Sequence, residues 1–402
     1  MYNDSSGEVP GVTARDLNSG PGGKMMASES LQKKILVILG TRPEAIKLAP
    51  VIRELRRLPR TFQTIICNTA QHREMLDPLL ALFDVRPDYD LNIMRPGQKL
   101  AQITVNGLRG LDRVIARETP DAILVQGDTT TALCGALAGF YHKVLIGHVE
   151  AGLRTSDKYA PFPEEINRRL ISQLTDYHFA PTEKAREALL KEGVPENRIF
   201  VTGNTVIDAL LWVRKKNERN RPKLPDGLSE AIRRRRLVLV TGHRRESFGK
   251  GFKNICLAIL EVADRFRDVV FVYPVHLNPN VRGPVYSILG RHPQIRLVEP
   301  LDYAPFVWLM AKSTLILTDS GGVQEEGPTL GKPVLVMRET TERPEGLAAG
   351  NARLVGVEKR KIVENLIELL INASLRKAMS SAQNPYGDGH AAKRIVRALS
   401  RM

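Results

Sequence analysis

Aromatic residues make up only 5% of this 402-residue chain, and there are three cysteines. Cys67, Cys134 and Cys256 lie far apart in apolar stretches with no metal-ligand spacing, which points to reduced, buried thiols in a cytoplasmic protein. No His-Glu-x-x-His or other tight histidine spacing occurs, so no catalytic metal is expected. No Gly-x-Gly-x-x-Gly follows a strand, which argues against a dinucleotide cofactor. No apolar run reaches the roughly 18 residues of a membrane span. Residues 1–30 are polar, rich in Gly and Ser, and lack the apolar stretch of a signal peptide. They read as a disordered extension, with Met25 or Met26 as a candidate true start.

Basic residues are in excess, giving a net charge of +15. The run Arg233–Arg236 raises the question of nucleic acid, but it leads directly into an apolar strand. No zinc finger, RNP-type aromatic motif or basic–aromatic interleaving accompanies it. A solvated helix end together with a small anionic ligand explains the charge better.

With 43% apolar and 26% charged residues, the chain is long enough for two or three cored domains. Strand-like runs at 34–40, 64–70, 122–128, 143–152, 177–182 and 198–204 alternate with helical patterns at 43–57, 73–83, 99–117, 129–141, 164–173 and 183–192. Residues 206–235, a helix followed by the charged, Pro- and Gly-bearing "KKNERNRPKLPDG", interrupt the rhythm and read as the interdomain linker region. Strand-like runs resume at 236–243, 269–276, 295–300, 313–319, 332–337 and 352–356, and a last helix covers 390–401. The expected fold is α/β, with two parallel, doubly wound sheets and a ligand cleft at their carboxyl ends.

Polar residues concentrate at those strand ends. The first strand ends in Gly40, Arg42 and Lys47, which is either a capped helix or an anion site. Asp128 closes the third strand and could be an N-cap, a role worth about 1 kcal/mol. His148, Glu150 and Arg154 follow the next strand, and then Glu164, Glu165, Asn167 and Arg168. Three carboxylates, Asp128, Glu150 and Glu164, converging on one crevice are hard to explain as caps alone. In the second half, His243, Arg244, Arg245, Glu246 and Ser247 end one strand, and His276 and Asn278 end another. Arg343 follows a third. The stretch "LTDSGGVQEE" ends a strand in Ser320-Gly321-Gly322 and opens a helix whose first turn is expected to carry Glu325 and Glu326. Such a turn suits a phosphate, because free backbone N–H groups and the helix dipole favour an anion. Carboxylates nearby suit hydroxyl groups, so the pair describes a nucleotide, and a sugar nucleotide would straddle the two halves. Asp88-Tyr89-Asp90 imitates a metal-binding Asp-x-Asp but is expected to be a turn.

"GTRPEAIKLAPVI", "GDTTTAL", "GHVEAGLRT", "PEEINR", "TGHRRESFGKG", "YPVHLNPNVR", "TDSGGVQEE" and "TTERPE" together resemble the non-hydrolysing UDP-N-acetylglucosamine 2-epimerases of bacteria, over about residues 34–400. The resemblance implies a GT-B-type pair of Rossmann-like domains, 31–205 and 206–384, with 385–402 crossing back to the first. It implies interconversion of UDP-GlcNAc and UDP-ManNAc for cell-surface polysaccharide, without a cofactor, by a homodimer. It makes Asp128, Glu150 and Glu164 the catalytic carboxylates and places His243 at the diphosphate. UDP contacts would come from Arg42, Lys47, Arg168, Ser320, Gly321, Gly322, Glu326 and Arg343, with Phe306 beside uracil. Leu301 stands where some members carry Gln. A second, activating UDP-GlcNAc site would involve Gln71, His72, Glu165 and His276, although Gln71 and His72 could simply cap the helix at 73.

The C2 hydrogen of GlcNAc is not next to a carbonyl and is a poor acid. Eliminating UDP across C1–C2 to a 2-acetamidoglucal, and adding it back after protonation on the other face, avoids the carbanion. That route needs an acid and a base at C2, anionic groups near C1 and cations on the leaving diphosphate. A glycosyltransferase of the same fold and a hydrolysing epimerase are the rival enzymes. A basic nucleic-acid-binding protein is the non-enzyme alternative.

Overall fold

The computed structural model describes residues 32–71, 73–95, 97–155 and 157–402; the extension expected at 1–30 and His72 of the expected second site lie outside them. Runs rich in Ile, Leu and Val become strands because sheets covered by helices on both faces bury every side chain. β1 (Lys33–Leu39), β2 (Phe62–Asn68), β3 (Tyr89–Asp90), β4 (Ala122–Gln126), β5 (Leu145–Val149), β6 (Tyr177–Ala180) and β7 (Ile199–Val201) form one sheet. Its order is β3-β2-β1-β4-β5-β6-β7. β8 (Arg236–Thr241), β9 (Val269–Pro274), β10 (Ile295–Val298), β11 (Leu315–Thr318), β12 (Val334–Val336) and β13 (Ala352–Leu354) form the other, in the order β10-β9-β8-β11-β12-β13. All pairings in both are parallel. The doubly wound α/β fold expected from the sequence is therefore present twice.

Alternation along β1 shows how each sheet is covered. Ile35, Val37 and Leu39 join a core containing Ile52, Leu210 and Val396, whereas Leu36 and Ile38 face Leu111 and Ala136 on the opposite side. The first of these cores continues into Leu237, Leu239 and Ile316 of the second sheet. Helix Thr205–Arg219 carries the chain from β7 towards the second half. The last helix, Ala391–Leu399, packs on helices Arg42–Arg56 and Thr205–Arg219. The chain thus passes between the halves twice, side by side: the amide of Asn204 donates to the carbonyl of Tyr386 at 2.8 Å.

Strand order reverses between β1 and β4 and again between β8 and β11. At such points neighbouring loops diverge and leave a crevice beyond the carboxyl ends.

Two local expectations need correction. Residues Asp88-Tyr89-Asp90 are not a turn: Tyr89 and Asp90 form the edge strand β3, opposite Cys67 and Asn68. A two-residue strand is too short to show a period. Asp88 accepts the amide of Ile66 at 2.8 Å, and Asp90 pairs with Arg73 at 2.6 Å. The strand expected over 143–152 is shorter, because Glu150 turns into left-handed backbone at φ 65° and leaves the ladder. Among the described residues, no helix is long and apolar enough to cross a membrane.

Candidate functional site

At the end of β1 the chain passes so close to β2 that only glycine fits. A Cβ on Gly40 would lie 1.9 Å from Oγ1 of Thr69 and 2.7 Å from that of Thr131. The amides of Gly40 and Thr41 both donate to Glu44, at 2.9 and 2.7 Å. Thr129, the N-cap of helix Thr130–Tyr141, also donates to Glu44, at 2.5 Å. Of the two readings of this strand end, the backbone fits the capped helix: the donors of the Gly40–Thr41 turn are filled by a carboxylate of the protein itself. Burial pushes the Glu44 carboxyl up to about 7 despite these donors.

Lys47, one turn after Glu44, reaches Glu150 at 2.6 Å. Glu150 is almost completely enclosed and also accepts from Gln126 at 2.5 Å and Asn204 at 2.9 Å. Burial opposes its ionisation, but Lys47, Arg343 and these donors outweigh it and hold the carboxyl below its usual range. Left-handed backbone at a non-glycine residue costs of order 1–3 kcal/mol. Here it aims a carboxylate from the end of β5 into this cluster.

Asp128 follows β4 and pairs with Arg168 at 2.8 Å, while Asn167 holds the Asp128 carbonyl at 2.8 Å. Glu164, at the start of helix Glu164–Leu174, is half-buried. Burial and the neighbouring charge of Asp128 push its carboxyl up. Glu165 points the other way, into the protein, and receives the Thr155 amide at 2.9 Å and Arg169 at 3.0 Å. Behind Asp128, the His148 ring contacts the Gly127 carbonyl at 2.7 Å through Nε2. Burial depresses His148 to about 4 and its neighbour His178 to about 3, so both rings are neutral near pH 7. Arg154 is used structurally, against Glu192 at 2.7 Å and Ser172 at 2.8 Å.

On the facing sheet, Asp319 is fully buried at the end of β11 and accepts the amides of His243 and Arg244 at 2.7 and 2.8 Å. Its second oxygen lies 3.4 Å from Nδ1 of His243. His243 is therefore held at the crevice, with His276 stacked on it at 5.4 Å between ring centroids. Burial lowers the His243 pKa, Asp319 opposes this, and His276 and Arg244 add to the lowering.

The helix after Ser320 runs Gly321–Thr329, so Glu325 and Glu326 fall in its second turn, not the first. Arg343 lies over Gly321: a Cβ there would approach the guanidinium carbon to 3.4 Å. Arg343 donates to Glu325 and Glu342, both at 2.8 Å. Glu326 is buried and takes the hydroxyl of Tyr303 at 2.5 Å. Burial pushes its carboxyl up to about 7, and Arg42 from the opposite half is among the charges acting on it. Leu301 and Phe306 are partly buried beside Tyr303 and the main core. Of the other strand-end residues, Glu246 pairs with Arg338 at 2.7 Å, Ser247 is buried, and Asn278 caps helix Pro279–Leu289.

The structure therefore gathers Asp128, Glu150, Glu164 and Arg168 at one set of strand ends. It gathers His243, Ser320, Gly321, Gly322, Glu326 and Arg343 at the other. Gln71 is on the first sheet's side, bonded to Thr131 at 3.0 Å, whereas His276 is on the second. Several residues central to the geometry carried no assigned role in the sequence reading: Glu44, Gln126, Asn204, Tyr303 and Asp319. Thr41-x-x-Glu44 is a recognisable capping-box pattern. Asn204 is visible only as a helix cap, and its contacts to both halves depend on the chain crossing.

The sequence profile of the family described as UDP-N-acetylglucosamine 2-epimerase matches residues 53–400. The chain is 56% identical over 369 residues to the UDP-N-acetylglucosamine 2-epimerase of Escherichia coli (strain K12), covering 91% of this chain and 98% of that one. Among solved structures, it is similar to the UDP-GlcNAc 2-epimerase from Neisseria meningitidis bound to UDP-GlcNAc. The TM-score is 0.84 and the identity 48%, over 92% of this chain and all of the other. A more distant match is the enzyme of Methanocaldococcus jannaschii in complex with UDP-GlcNAc and UDP, at TM-score 0.77 and 36% identity, again over 92% and 100% of the two chains.

Proposed function

Since the chain belongs to the UDP-N-acetylglucosamine 2-epimerase family, we propose that it interconverts UDP-GlcNAc and UDP-ManNAc by eliminating and re-adding UDP. The observation that carries this reading is the separation of chemistry across the crevice. Acids that can move protons lie at the strand ends of the first sheet. An anion cradle lies at the strand ends of the second.

Gly321 and Gly322 offer the amides of a helix start to a phosphate, after Ser320 as N-cap, whose own amide donates to Thr318 at 2.9 Å, and Arg343 stands over them. His243, fixed by Asp319, supplies a donor to the leaving diphosphate. Glu326 accepts ribose hydroxyls. Arg42 and Lys47 add positive charge from the first half, and Arg168 orients Asp128. The environments push the Glu150 and Glu164 carboxyls in opposite directions, the pattern of two acids with separate roles. Glu150 is held ionised, where it stabilises positive charge building at C1 as the C1–O bond breaks. Glu164 is raised towards the range of a proton carrier, and with Asp128 it removes or returns the C2 proton. In the forward direction the C2–H electron pair forms the C1=C2 bond and UDP leaves with the C1–O pair. In the return, C2 takes a proton on the opposite face and UDP adds to C1.

The test is turnover of UDP-GlcNAc in deuterated water. The expected result is deuterium at C2 of both epimers and no free sugar. Release of free ManNAc with UDP would establish a hydrolysing enzyme instead, and transfer of the sugar to an added acceptor would establish a glycosyltransferase.

The proposed assembly is a homodimer. Exposed Phe140, Tyr141, Ile166 and Leu170, on two helices packed against each other, supply apolar surface for a second copy. A monomeric mass by light scattering would reject it. A regulatory UDP-GlcNAc site involving Gln71, His72, Glu165 and His276 is the remaining proposal. It is tested by assaying the reverse reaction with and without a trace of UDP-GlcNAc. Glu165 would have to release the Thr155 amide and Arg169 to take part.

A further inference from the structure

Asn204 occupies the place where the chain first leaves the β1–β7 sheet, as the N-cap of helix Thr205–Arg219. Its side-chain oxygen accepts the amide of Val206 at 3.1 Å. That contact fixes which end of the carboxamide faces the crevice. The NH2 group is then directed at two acids at once: Glu150 at 2.9 Å and Glu325 at 2.6 Å. Glu150 belongs to the first sheet and Glu325 to the helix after β11, 121 residues along from Asn204. Both acids are buried, as is Asn204 itself.

The surroundings make this contact rigid. The Asn204 amide donates to the carbonyl of Tyr386, on the segment returning to the first sheet. Tyr386 in turn donates its hydroxyl to the Arg343 carbonyl at 3.1 Å and accepts the Gly346 amide at 3.0 Å. Gly203 and Gly387 let the two crossing segments touch: a Cβ on Gly203 would lie 3.3 Å from the Cα of Gly387. Asn204 is therefore fixed by backbone on both sides while its two hydrogens tie one carboxylate from each half.

We propose that Asn204 is a positioning residue that clamps Glu150 to Glu325 across the two sheets and so sets the orientation and charge of Glu150 for the reaction. The proposal rests on the reading of Glu150 as part of the catalytic machinery. Two buried carboxylates brought together repel, and one amide donating to both offsets that without adding a third charge. An aspartate could not do so, because it has no hydrogens to give. The charged groups facing Glu150 are Lys47, Arg343 and Glu325, with His148 behind it. Lys47 and Arg343 favour its ionised form, as does the Asn204 donor, and Glu325 opposes it.

Asn204→Ser separates this role from helix capping, because serine caps well but cannot reach both acids. The wild type and the variant are compared for thermal melting, UDP affinity, kcat and the pH profile of kcat. The expected result is a folded variant whose UDP affinity is retained. Its kcat should fall at least about tenfold, the scale of one lost hydrogen bond to a charged group. The acid limb of kcat should move to higher pH, because a carboxylate that loses a donor protonates more easily. An unchanged kcat and acid limb in the folded variant would overturn the proposal. A loss of activity matched by a loss of folded protein, with the acid limb unmoved, would also overturn it and leave Asn204 as a cap only. If serine fails to support the fold, Asn204→Gly, which is also tolerated at a helix N-cap and adds no charge beside the two acids, is read for the same two results. A wild type that does not epimerise UDP-GlcNAc would refute the reading of the site itself. An active wild type with an indifferent variant refutes only the role of Asn204.

Discussion

Glu150 accepts from Lys47, Gln126 and Asn204, and it is the acid in the crevice whose backbone is strained to deliver it. Replacing it by Gln keeps the shape and removes the charge. Glu150→Gln, Asp128→Asn and Glu164→Gln should each lower kcat by at least about a hundredfold, the usual scale for an acid–base or charge-stabilising group. Initial rates check this, and near-normal turnover in all three would reject the assignment. Arg343→Ala and Ser320→Ala should behave differently, weakening UDP binding more than they slow chemistry, because both sit at the anion cradle. Calorimetric titration with UDP decides it, and unchanged affinity in both variants would contradict that placement. The buried histidines give a third, independent prediction. His178 is depressed to about 3 by burial, against an ordinary value of 6.5. The unfolded chain therefore binds more protons below pH 6.5, and stability is lost as pH falls through that window. Glu44 and Glu326, raised to about 7, act with the opposite sign, since the folded state takes up their protons first as pH falls below 7. Comparing wild type with His178→Gln cancels those carboxylates. Relative to the variant, the wild type should lose about 2 kcal/mol between pH 7.5 and pH 5, read by denaturant unfolding at each pH. A pH-independent difference would show that His178 is not held neutral.

At the scale of elements, helix starts do much of the positioning. Thr129, Asn204 and Ser320 each stand between a strand end and a helix, at the three places where the crevice is built. Asp208, inside helix Thr205–Arg219, caps the start of the last helix from a neighbouring element, accepting the amides of Ala391 and Ala392 at 3.2 and 3.0 Å. Asp208→Ala should cost about 1–2 kcal/mol, the range for losing such a cap. It should also speed hydrogen exchange in 391–399 before the rest of the molecule. Unchanged exchange there would mean the helix is held by its apolar face alone. These elements were mostly legible in the sequence, because strands buried on both faces read as unbroken runs of Ile, Leu and Val, and a polar residue after such a run marks the carboxyl end. Asp128, Glu150 and His243 stood out for that reason. Tyr89–Asp90 did not, because two residues carry no period. Glu44 and Asn204 were hidden for another reason: each has an ordinary local explanation as a cap or helix residue. Their partners lie far away in sequence, as with the 85 residues between Glu44 and Thr129.

For the whole molecule, the buried cations at the crevice are paired with acids of their own half. Lys47 of the first half meets Glu150, and Arg343 of the second meets Glu325, with Asn204 between the two acids. The crevice is thus a continuous polar network from one sheet to the other, and a substrate with a diphosphate at one end and a sugar at the other spans it. In the proposed reaction the sugar and UDP separate and rejoin during each epimerisation. Positional isotope exchange measures that directly. UDP-GlcNAc is prepared with oxygen-18 in the bridge between C1 and the β-phosphorus, and the recovered UDP-sugars are followed by phosphorus NMR during turnover. Elimination predicts that the label spreads from the bridge into the non-bridging β-phosphate oxygens as deuterium from solvent enters C2. Deuterium entering C2 while the label stays wholly in the bridge would contradict it, and would mean the C1–O bond never breaks.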